Sequence, residues 1–272
     1  MELALKKTKP HAAIATETPA PKEPTVWSTA PAPQSFRKTD VHLWRVELDQ
    51  PDATLAELER LLSRDERERA SRFRFLRDRN RFVASRGALR IALGNYLAKP
   101  AEAVAIGIAP KGKPRLAESE ESDLQFNISH SRNVALFGFA PGRDLGVDVE
   151  FINPEFPCAS VAPTFCCERE LGELCALPAN AMRACFFKIW TAKEARLKAS
   201  GEGFFCEAKA LDVRFEKNGA ISIKPRTDPP WLMREIEIGE SFAAAMAVSG
   251  SRVLLNFFEF PFSPPFEQSR SS

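Results

Sequence analysis

The chain has 272 residues and a formal net charge of +2, with 44% hydrophobic and 27% charged residues. These are ordinary values for a globular protein, and they exclude a wholly disordered or fibrous chain. No apolar run approaches the ~18 residues of a membrane helix, and the N-terminus lacks the continuous apolar stretch of a secretory signal. We therefore expect a cytoplasmic protein that binds no membrane, and a net charge near zero gives no general argument for nucleic acid.

The six cysteines follow neither a disulfide pattern nor a zinc pattern. There is no signal peptide, and no C-x-x-C pair has a partner pair at the spacing of a zinc site. Several cysteines lie among apolar residues, as Cys185 does before Phe186 and Phe187. We predict reduced thiols that pack as small apolar side chains.

The two ends of the chain differ in composition from its centre. Residues 1–39 contain six prolines and few large apolar side chains, which is typical of a flexible tail. A docking segment is the alternative for this tail. At the other end, residues 263–272 are predicted to fray after a segment rich in proline and phenylalanine.

The central part of the chain begins with a strand and a long helix. Residues 42–48 alternate apolar and polar side chains as a strand does, Ser63 precedes a capped helix start, and residues 81–97 read as a long helix. A second strand and long helix are predicted at 145–151 and 184–200. Further strands are predicted at 103–108, 124–128, 134–139, 211–215, 221–224 and 242–248.

This order of elements indicates an internal repeat with an offset of 102 residues. The offset places the triplet Glu66-Arg67-Glu68 on Glu168-Arg169-Glu170, ahead of the long helix in each case. We predict an α+β fold made of two similar halves, at 40–145 and 146–262, related by a pseudo-twofold axis. Each half has a small, mostly antiparallel sheet packed by a long helix. The cleft between the halves is the natural place for a ligand.

Two carboxylates lie in the strand-like segment Gly146-Val-Asp-Val-Glu150. Residues two apart in a strand share a face, so Asp148 and Glu150 point the same way while the valines point into the core. Paired carboxylates repel one another unless a cation lies between them, and hard oxygen ligands suit Mg²⁺. The alternative is a strand edge that faces solvent.

A third carboxylate lies on the second long helix. In the segment from Phe186 to Lys198, Trp190, Glu194 and Lys198 share one helical face. The alternative is an apolar stripe with an i,i+4 ion pair. A carboxylate on the inward side is costly unless it is paired or bound to a metal, which favours a functional role for Glu194.

Two short segments have the character of anion-binding turns. Phe126-Asn-Ile-Ser-His-Ser131 ends a strand in hydroxyl, imidazole and backbone N–H groups, although a self-satisfied turn is equally compatible. Lys111-Gly-Lys-Pro114 is a tight basic turn that lacks the pattern of a Walker loop.

A strongly basic run extends from Arg60 to Arg90. It contains eleven arginines against four acidic residues, a local excess of +7. This run is either a solvated helix face or a surface for an acidic partner or a phosphate.

Taken in order, four of these segments resemble the Sfp-type 4′-phosphopantetheinyl transferases over roughly residues 42–250. They are Gly112-Lys-Pro, Phe126-Asn-Ile-Ser-His-Ser, Gly146-Val-Asp-Val-Glu and Trp190-Thr-Ala-Lys-Glu-Ala-Arg-Leu-Lys. The resemblance implies transfer of the phosphopantetheine arm of coenzyme A to a serine of an apo acyl or peptidyl carrier protein. It also implies two similar α+β halves with the site between them, an acidic and transient carrier partner, Mg²⁺ as cofactor and a monomer.

The resemblance also implies roles for individual residues. Glu194 would be the catalytic base and Lys198 would meet the pyrophosphate. The metal ligands would be Asp148, Glu150 and Glu194. The coenzyme contacts would be Arg69, Lys111, Gly112, Lys113, Pro114, Asn127, Ser129, His130 and Lys198.

Five residues at three places depart from the family pattern: Phe82, Ile108 and the segment Phe151-Ile152-Asn153. They weaken individual phosphate contacts but leave the metal carboxylates in place. Two other hypotheses remain open at this point. One is a degenerate module that binds coenzyme A or a carrier without turnover, and the other is a metal-dependent nuclease or nucleic-acid binder that uses the arginine-rich run.

Overall fold

The structure is a computed structural model that describes residues 25–29, 36–109, 112–201, 208–225, 227 and 230–262. The first half contains β1 (Asp40–Glu47), α1 (Asp52–Leu61), α2 (Arg64–Ser71), α3 (Leu76–Leu97), β2 (Ile106–Ile108), β3 (Pro114–Leu116), β4 (Leu124–Ser131) and β5 (Val134–Pro141). The second contains β6 (Leu145–Phe151), α4 (Cys158–Phe165), α5 (Glu168–Cys175), α6 (Ala179–Ser200), β7 (Asp212–Phe215), β8 (Ile221–Lys224), β9 (Trp231–Glu235), β10 (Phe242–Ser249) and β11 (Leu254–Glu259). Both halves therefore contain a strand, three helices and four strands in the same order, and the second half adds β11 after them, which confirms the predicted repeat of α+β halves.

The helix starts show how the two halves correspond. Ser63 caps α2 and forms a capping box with Glu66, and the equivalent box before α5 joins Cys167 to Glu170. The matching glutamates are thus 104 residues apart. The offset of 102 residues, which paired Glu66 with Glu168, is two residues short in this segment.

Each half is built on a sheet covered by a helix of 22 residues. The first sheet has the strand order β11-β1-β5-β4 and is antiparallel except for the β1–β11 pair. The second has the order β6-β10-β9 and is antiparallel throughout. Strands β2–β3 and β7–β8 form two small hairpin sheets. Because β11 joins the first sheet, the second half of the chain supplies the outer strand of the first half's sheet.

The two sheets share one apolar cluster between their inner faces. Leu43 and Leu136 of the first sheet belong to this cluster together with Val147, Val149 and Met246 of the second. The alternation predicted for β6 is confirmed, because its valines are fully buried here while the residues between them face the other way. This packing holds the two halves against each other and fixes the edge where β4 meets β6.

Part of the segment predicted as a tail lies against the first sheet. Ser28 bonds in parallel fashion to β11, with its N–H at 2.9 Å from the carbonyl oxygen of Phe257, and residues 36–39 lead into β1. The rest of the predicted tail, residues 1–24 and 30–35, lies outside the described residues, as does the predicted frayed end at 263–272. Within the described part of the chain, no helix combines the length and apolar character needed to cross a membrane.

Candidate active site

The edges of the two sheets are joined by side chains rather than by backbone pairing. Asn127 Oδ1 accepts a hydrogen bond from the N–H of Val147 at 2.8 Å, Ser129 Oγ accepts from Val149 at 3.3 Å, and Ser131 Oγ accepts from Phe151 at 3.0 Å. Every second side chain of this part of β4 thus accepts a backbone hydrogen bond that a neighbouring strand would otherwise accept from β6. Sequence reasoning assigned Asn127 and Ser129 to coenzyme binding and did not foresee this joint between the halves.

The same serines orient the two carboxylates of β6. Ser129 donates its hydroxyl proton to Asp148 Oδ1 at 2.8 Å, and Ser131 donates to Glu150 Oε2 at 2.9 Å. Each serine therefore accepts from the backbone of β6 and donates to a carboxylate on the same strand. The residues of the predicted anion-binding turn and of the predicted metal pair form one network.

Small residues bring helix α6 close to β6. A Cβ on Gly146 would lie 2.0 Å from the carbonyl oxygen of Ala195, so only glycine fits at this position. The neighbouring strand β10 presents Ala243, Ala245 and Ala247 to the same helix. This close approach places Lys198 Nζ at 2.6 Å from Asp148 Oδ1 and at 3.2 Å from Ser129 Oγ.

We expect Gly146→Ala to lower the free energy of unfolding by ~1–3 kcal/mol and to lower activity, because the added methyl group pushes α6 away from β6. Gly172→Ala is the matched control. Its Cβ would meet nothing within 4 Å, and alanine is favoured within helix α5, so stability should rise by ~0.5–1 kcal/mol. Urea denaturation of both variants measures the difference, and equal changes would contradict the close approach as its cause.

The carboxylates of the cleft repel one another. Burial, followed by the charge of Asp148, raises the pKa of Glu150 to about 7 and that of Glu194 to about 8. Lys198 opposes both shifts. Burial disfavours the charge of Lys198, but Asp148 and the two glutamates outweigh it and raise the pKa of this ammonium group. One cation is therefore shared by three carboxylates.

This donor set fits a hard divalent cation. Asp148 Oδ2 and Glu194 Oε1 are buried and have no hydrogen-bond partner among the described residues. Unpaired buried carboxylate oxygens are costly, and oxygen ligands of this kind suit Mg²⁺. A second cluster, formed by Cys167, Glu170 and Asp212, has compact geometry. Its carboxylates are already paired with Lys193 and Arg169, so it offers no comparable site.

Three positive charges lie close enough to His130 to shift its pKa. Desolvation of the imidazole ring is the largest cause that lowers the pKa of His130. The positive charges of Lys198, Arg69 and Arg86 lower it further. Arg69 and Arg86 both lie over the ring of Phe82, at 5.4 and 5.9 Å from its centroid. The structure thus brings the predicted Arg69, His130 and Lys198 together. It adds Arg86, which the sequence reasoning treated only as one member of the basic run.

The predicted basic turn lies at the base of the same site. Lys113 Nζ donates to the carbonyl oxygens of Leu145 at 3.2 Å and Lys198 at 2.9 Å, so it ties the start of β6 to the last turn of α6. Gly112 takes a φ of 84°, which the turn between β2 and β3 requires. Pro114 begins β3, and Lys111 lies outside the described residues. Contact of this turn with coenzyme A stays a prediction.

Comparisons with known proteins agree with the two-half organisation. The family model for the 4′-phosphopantetheinyl transferase superfamily matches residues 144–247, and the model for the N-terminal part of such transferases matches residues 49–138. The transferase HetI of Nostoc sp. is 39% identical over 225 residues, which cover 82% of this chain and 94% of HetI. This chain belongs to the 4′-phosphopantetheinyl transferase superfamily.

Other members of the superfamily are more distant. A putative 4′-phosphopantetheinyl transferase of Synechocystis sp. is 33% identical over 59% of this chain and 65% of its own length. The transferase Sfp of Bacillus subtilis is 23% identical over 69% of this chain and 82% of its own length. A crystal structure of a holo-(acyl-carrier-protein) synthase from Bacillus anthracis in complex with CoA aligns with 40% of this chain and 96% of that one, with 22% identity and a TM-score of 0.35. Family membership therefore rests on the sequence matches, which confirm the resemblance inferred from the motifs.

Proposed function

We propose that this 4′-phosphopantetheinyl transferase moves the phosphopantetheine arm of coenzyme A to a serine hydroxyl of an apo carrier protein and releases 3′,5′-ADP. The observation that carries the proposal is the convergence of Asp148, Glu150, Glu194 and Lys198 from β6 and α6. A cluster of cations lies beside them at His130. This arrangement provides metal ligands, a base and phosphate contacts in one cleft.

The residues of the cleft have distinct tasks in this reaction. Asp148, Glu150 and Glu194 would hold Mg²⁺, which when bound supplies positive charge to the pyrophosphate of coenzyme A. Lys198 stabilises the negative charge that develops on the leaving 3′,5′-ADP as the bond between phosphorus and oxygen breaks. Arg69, with His130, binds the remaining phosphate charge.

Glu194 is our candidate for the base. As the serine oxygen of the carrier bonds to the β-phosphorus, the proton of the serine hydroxyl passes to the carboxylate of Glu194, and the bond from the β-phosphorus to the leaving 3′,5′-ADP breaks. No covalent intermediate with the protein is needed, because positioning and electrostatics dominate phosphoryl transfers of this kind.

The carrier partner is proposed to be acidic and to dock on part of the basic run. Seven of its eleven arginines are paired with carboxylates: Arg60, Arg64, Arg77, Arg79, Arg81, Arg86 and Arg90. Of the others, Arg72 and Arg74 lie in a wholly exposed loop between α2 and α3. Phe75 of this loop is 57% exposed, and Leu76, the first residue of α3, is 68% exposed, so the loop and the start of α3 offer both charge and apolar surface.

We expect the double substitution Arg72→Ser/Arg74→Ser to weaken carrier binding by ~10-fold at low salt. The difference should shrink as salt is added, because screening removes the attraction between exposed charges. Arg60→Ser/Arg64→Ser changes the net charge equally but removes arginines that already have partners, so it should have little effect. Equal losses in the two variants, or a loss independent of salt, would reject this docking loop.

The activity is tested by intact-mass analysis. An apo carrier protein is incubated with the chain, coenzyme A and Mg²⁺, and a second reaction contains EDTA. We expect a mass gain of one phosphopantetheine arm that EDTA prevents. No gain with several carrier types, while coenzyme A still binds, would favour the alternative of a module that holds coenzyme A or a carrier without turnover.

We further propose that the chain works as a monomer in the cytoplasm. Both walls of the cleft come from one chain, so a second copy is not needed to complete the site. Cys158, Cys166, Cys167, Cys175 and Cys185 are free thiols, in keeping with a reducing compartment, and Cys206 lies outside the described residues.

A further inference from the structure

The hairpin of β2 and β3 reaches from the first half of the chain to the second through one lysine side chain. Its turn is closed by two backbone bonds of 2.8 Å, in which Ala109 donates to the carbonyl oxygen of Lys113 and Gly112 donates to that of Ala109. From this turn, Lys113 Nζ donates to the carbonyl oxygen of Leu145 at 3.2 Å and to that of Lys198 at 2.9 Å. Two of the three donors of the ammonium group are therefore bound to the backbone of the second half.

The two carbonyl groups lie where α6 and β6 approach each other most closely. Leu145 directly precedes Gly146, where an added Cβ would lie 2.0 Å from the carbonyl oxygen of Ala195. The carbonyl group of Lys198 is one of the last four of α6, which a helix leaves without an N–H partner of its own. A cation at this end of a helix is also favoured by the helix dipole. Lys113 thus satisfies a helix end and holds it against the start of β6.

Lys198 is consequently held at both of its ends. Lys113 binds its main-chain carbonyl group, while its Nζ lies 2.6 Å from Asp148 Oδ1 and 3.2 Å from Ser129 Oγ. The side chain of Lys198 has several rotatable bonds, so its partners alone do not fix where the helix turn lies. The bond from Lys113 fixes that turn relative to β6, and with it the reach of the Lys198 ammonium group into the cleft.

We propose that Lys113 is a positioning residue for the transfer reaction, because it fixes the turn of α6 from which Lys198 meets the leaving 3′,5′-ADP. The proposal rests on the proposed function. The family resemblance assigns Lys113 to coenzyme binding, but a phosphate contact would have to use the one donor that the two carbonyl groups leave. The ammonium group acts on the protein, and its effect on transfer passes through Lys198.

The first test separates the rate of transfer from the affinity for coenzyme A. Lys113→Met removes the ammonium group but keeps an unbranched side chain, and we expect kcat to fall by ~10- to 100-fold because Lys198 is misplaced. The Kd for coenzyme A, measured by calorimetry without carrier, should change by less than ~2-fold. A direct phosphate contact instead predicts a Kd that rises by ~10-fold or more, and this result with an unchanged kcat would overturn the proposal.

Two variants control for the loss of a lysine as such. Lys113→Arg keeps a cation with several donors and should recover most of kcat. In Lys209→Met the lost ammonium group also donates to a backbone carbonyl oxygen, that of Pro163 at 3.2 Å, but it lies on the surface. This variant should leave kcat and the Kd for coenzyme A unchanged. An equal loss of kcat in Lys209→Met would reject the specific role of Lys113.

A double substitution tests whether Lys113 acts through Lys198. If it does, Lys113→Met should lower kcat by less than ~2-fold further in a chain that already carries Lys198→Met, because there is no ammonium group left to position. If Lys113 contributes independently, the two losses should multiply. Multiplied losses would overturn the proposal.

Hydrogen exchange separates this proposal from the proposed function, since it needs no turnover. A peptide covering residues 195–201 should exchange faster in Lys113→Met than in the unchanged chain, while a peptide from α3 and the Lys113→Arg variant should not change. Such a result supports the hold on the last turn of α6 even if the unchanged chain adds no mass to a carrier, a failure that would count against transfer alone. Unchanged exchange at 195–201 would reject the role of Lys113 whether or not transfer occurs.

Discussion

Glu194→Gln is expected to lower the rate of transfer by ~10³- to 10⁴-fold while the fold survives. The substitution keeps the shape of the side chain but removes a metal ligand and the proposed proton acceptor together. It also removes one of three carboxylates that repel one another in the cleft, so in EDTA the unfolding midpoint should be unchanged or higher. The stabilisation by Mg²⁺ that we expect of the unchanged chain should largely disappear in this variant.

The measurements for Glu194→Gln are the rate of carrier mass gain and thermal unfolding with and without Mg²⁺. Glu240→Gln is the matched control, because Glu240 is an exposed glutamate of the same half, in the turn before β10. It should leave the rate and both unfolding midpoints unchanged. Retained transfer in a clean preparation of Glu194→Gln would remove Glu194 from the catalytic role, and an unchanged response to Mg²⁺ would remove it from the metal site.

Lys193→Met is expected to lower the free energy of unfolding by ~3–5 kcal/mol. Lys193 and Glu170 are both 0% exposed, and Nζ lies 2.6 Å from Glu170 Oε2. The ammonium group also donates to the carbonyl oxygen of Phe165 at 3.1 Å. Methionine fills nearly the same space but leaves Glu170 as a buried charge without its cation, and such a charge is costly.

Two comparison variants make this prediction specific. Lys193→Met/Glu170→Gln removes both charges and should recover a substantial part of the lost stability. Arg64→Met breaks the exposed pair with Glu68 and should cost less than ~1 kcal/mol. Urea denaturation measures all three variants. A double variant no more stable than Lys193→Met would show that lost packing, rather than the unpaired charge, causes the effect.

The first half contains an ion pair equivalent to the buried pair of Lys193 and Glu170. Glu66 closes the capping box of α2, and Arg90 of the long helix donates to its Oε2 at 2.6 Å. Arg90 also donates to the carbonyl oxygens of Ala101 at 3.2 Å and Val104 at 3.0 Å. In both halves, therefore, a buried glutamate joins a short helix to the long one. In the second half the ion pair is made by Lys193, the residue next to Glu194, so the position of α6 depends on this pair.

Local patterns in the sequence were sufficient to predict much of the site. The alternation of β6 placed Asp148 and Glu150 on one face, because side chains in a strand alternate whatever its partners are. The three- and four-residue spacing of α6 placed Glu194 one turn before Lys198 for the same kind of reason. The order of the elements predicted the two halves. Each of these features depends on residues close together in the chain.

Features that depend on distant partners were decided by the tertiary structure. The basic run looked strongly charged in isolation, but two acidic residues that precede it, Asp49 and Glu59, form ion pairs with Arg81 and Arg79. Gly146 looked like the start of a strand, and its need for glycine comes from the backbone of α6, about fifty residues later. No local pattern specifies which distant group will come within a few ångströms.

The sequence by itself thus determined the family, the α+β repeat and the chemical groups of the cleft. These features depend on the spacing of residues within short segments and on the order of those segments along the chain. Only the tertiary structure decided that Asn127, Ser129 and Ser131 join the two halves. The same is true of the pairing of β11 with the first sheet and of the stacking of the Arg132 guanidinium group on the ring of Phe151. These contacts form between segments far apart in the chain. Their geometry follows from the packing of the two sheets on each other, which sequence periodicity does not specify.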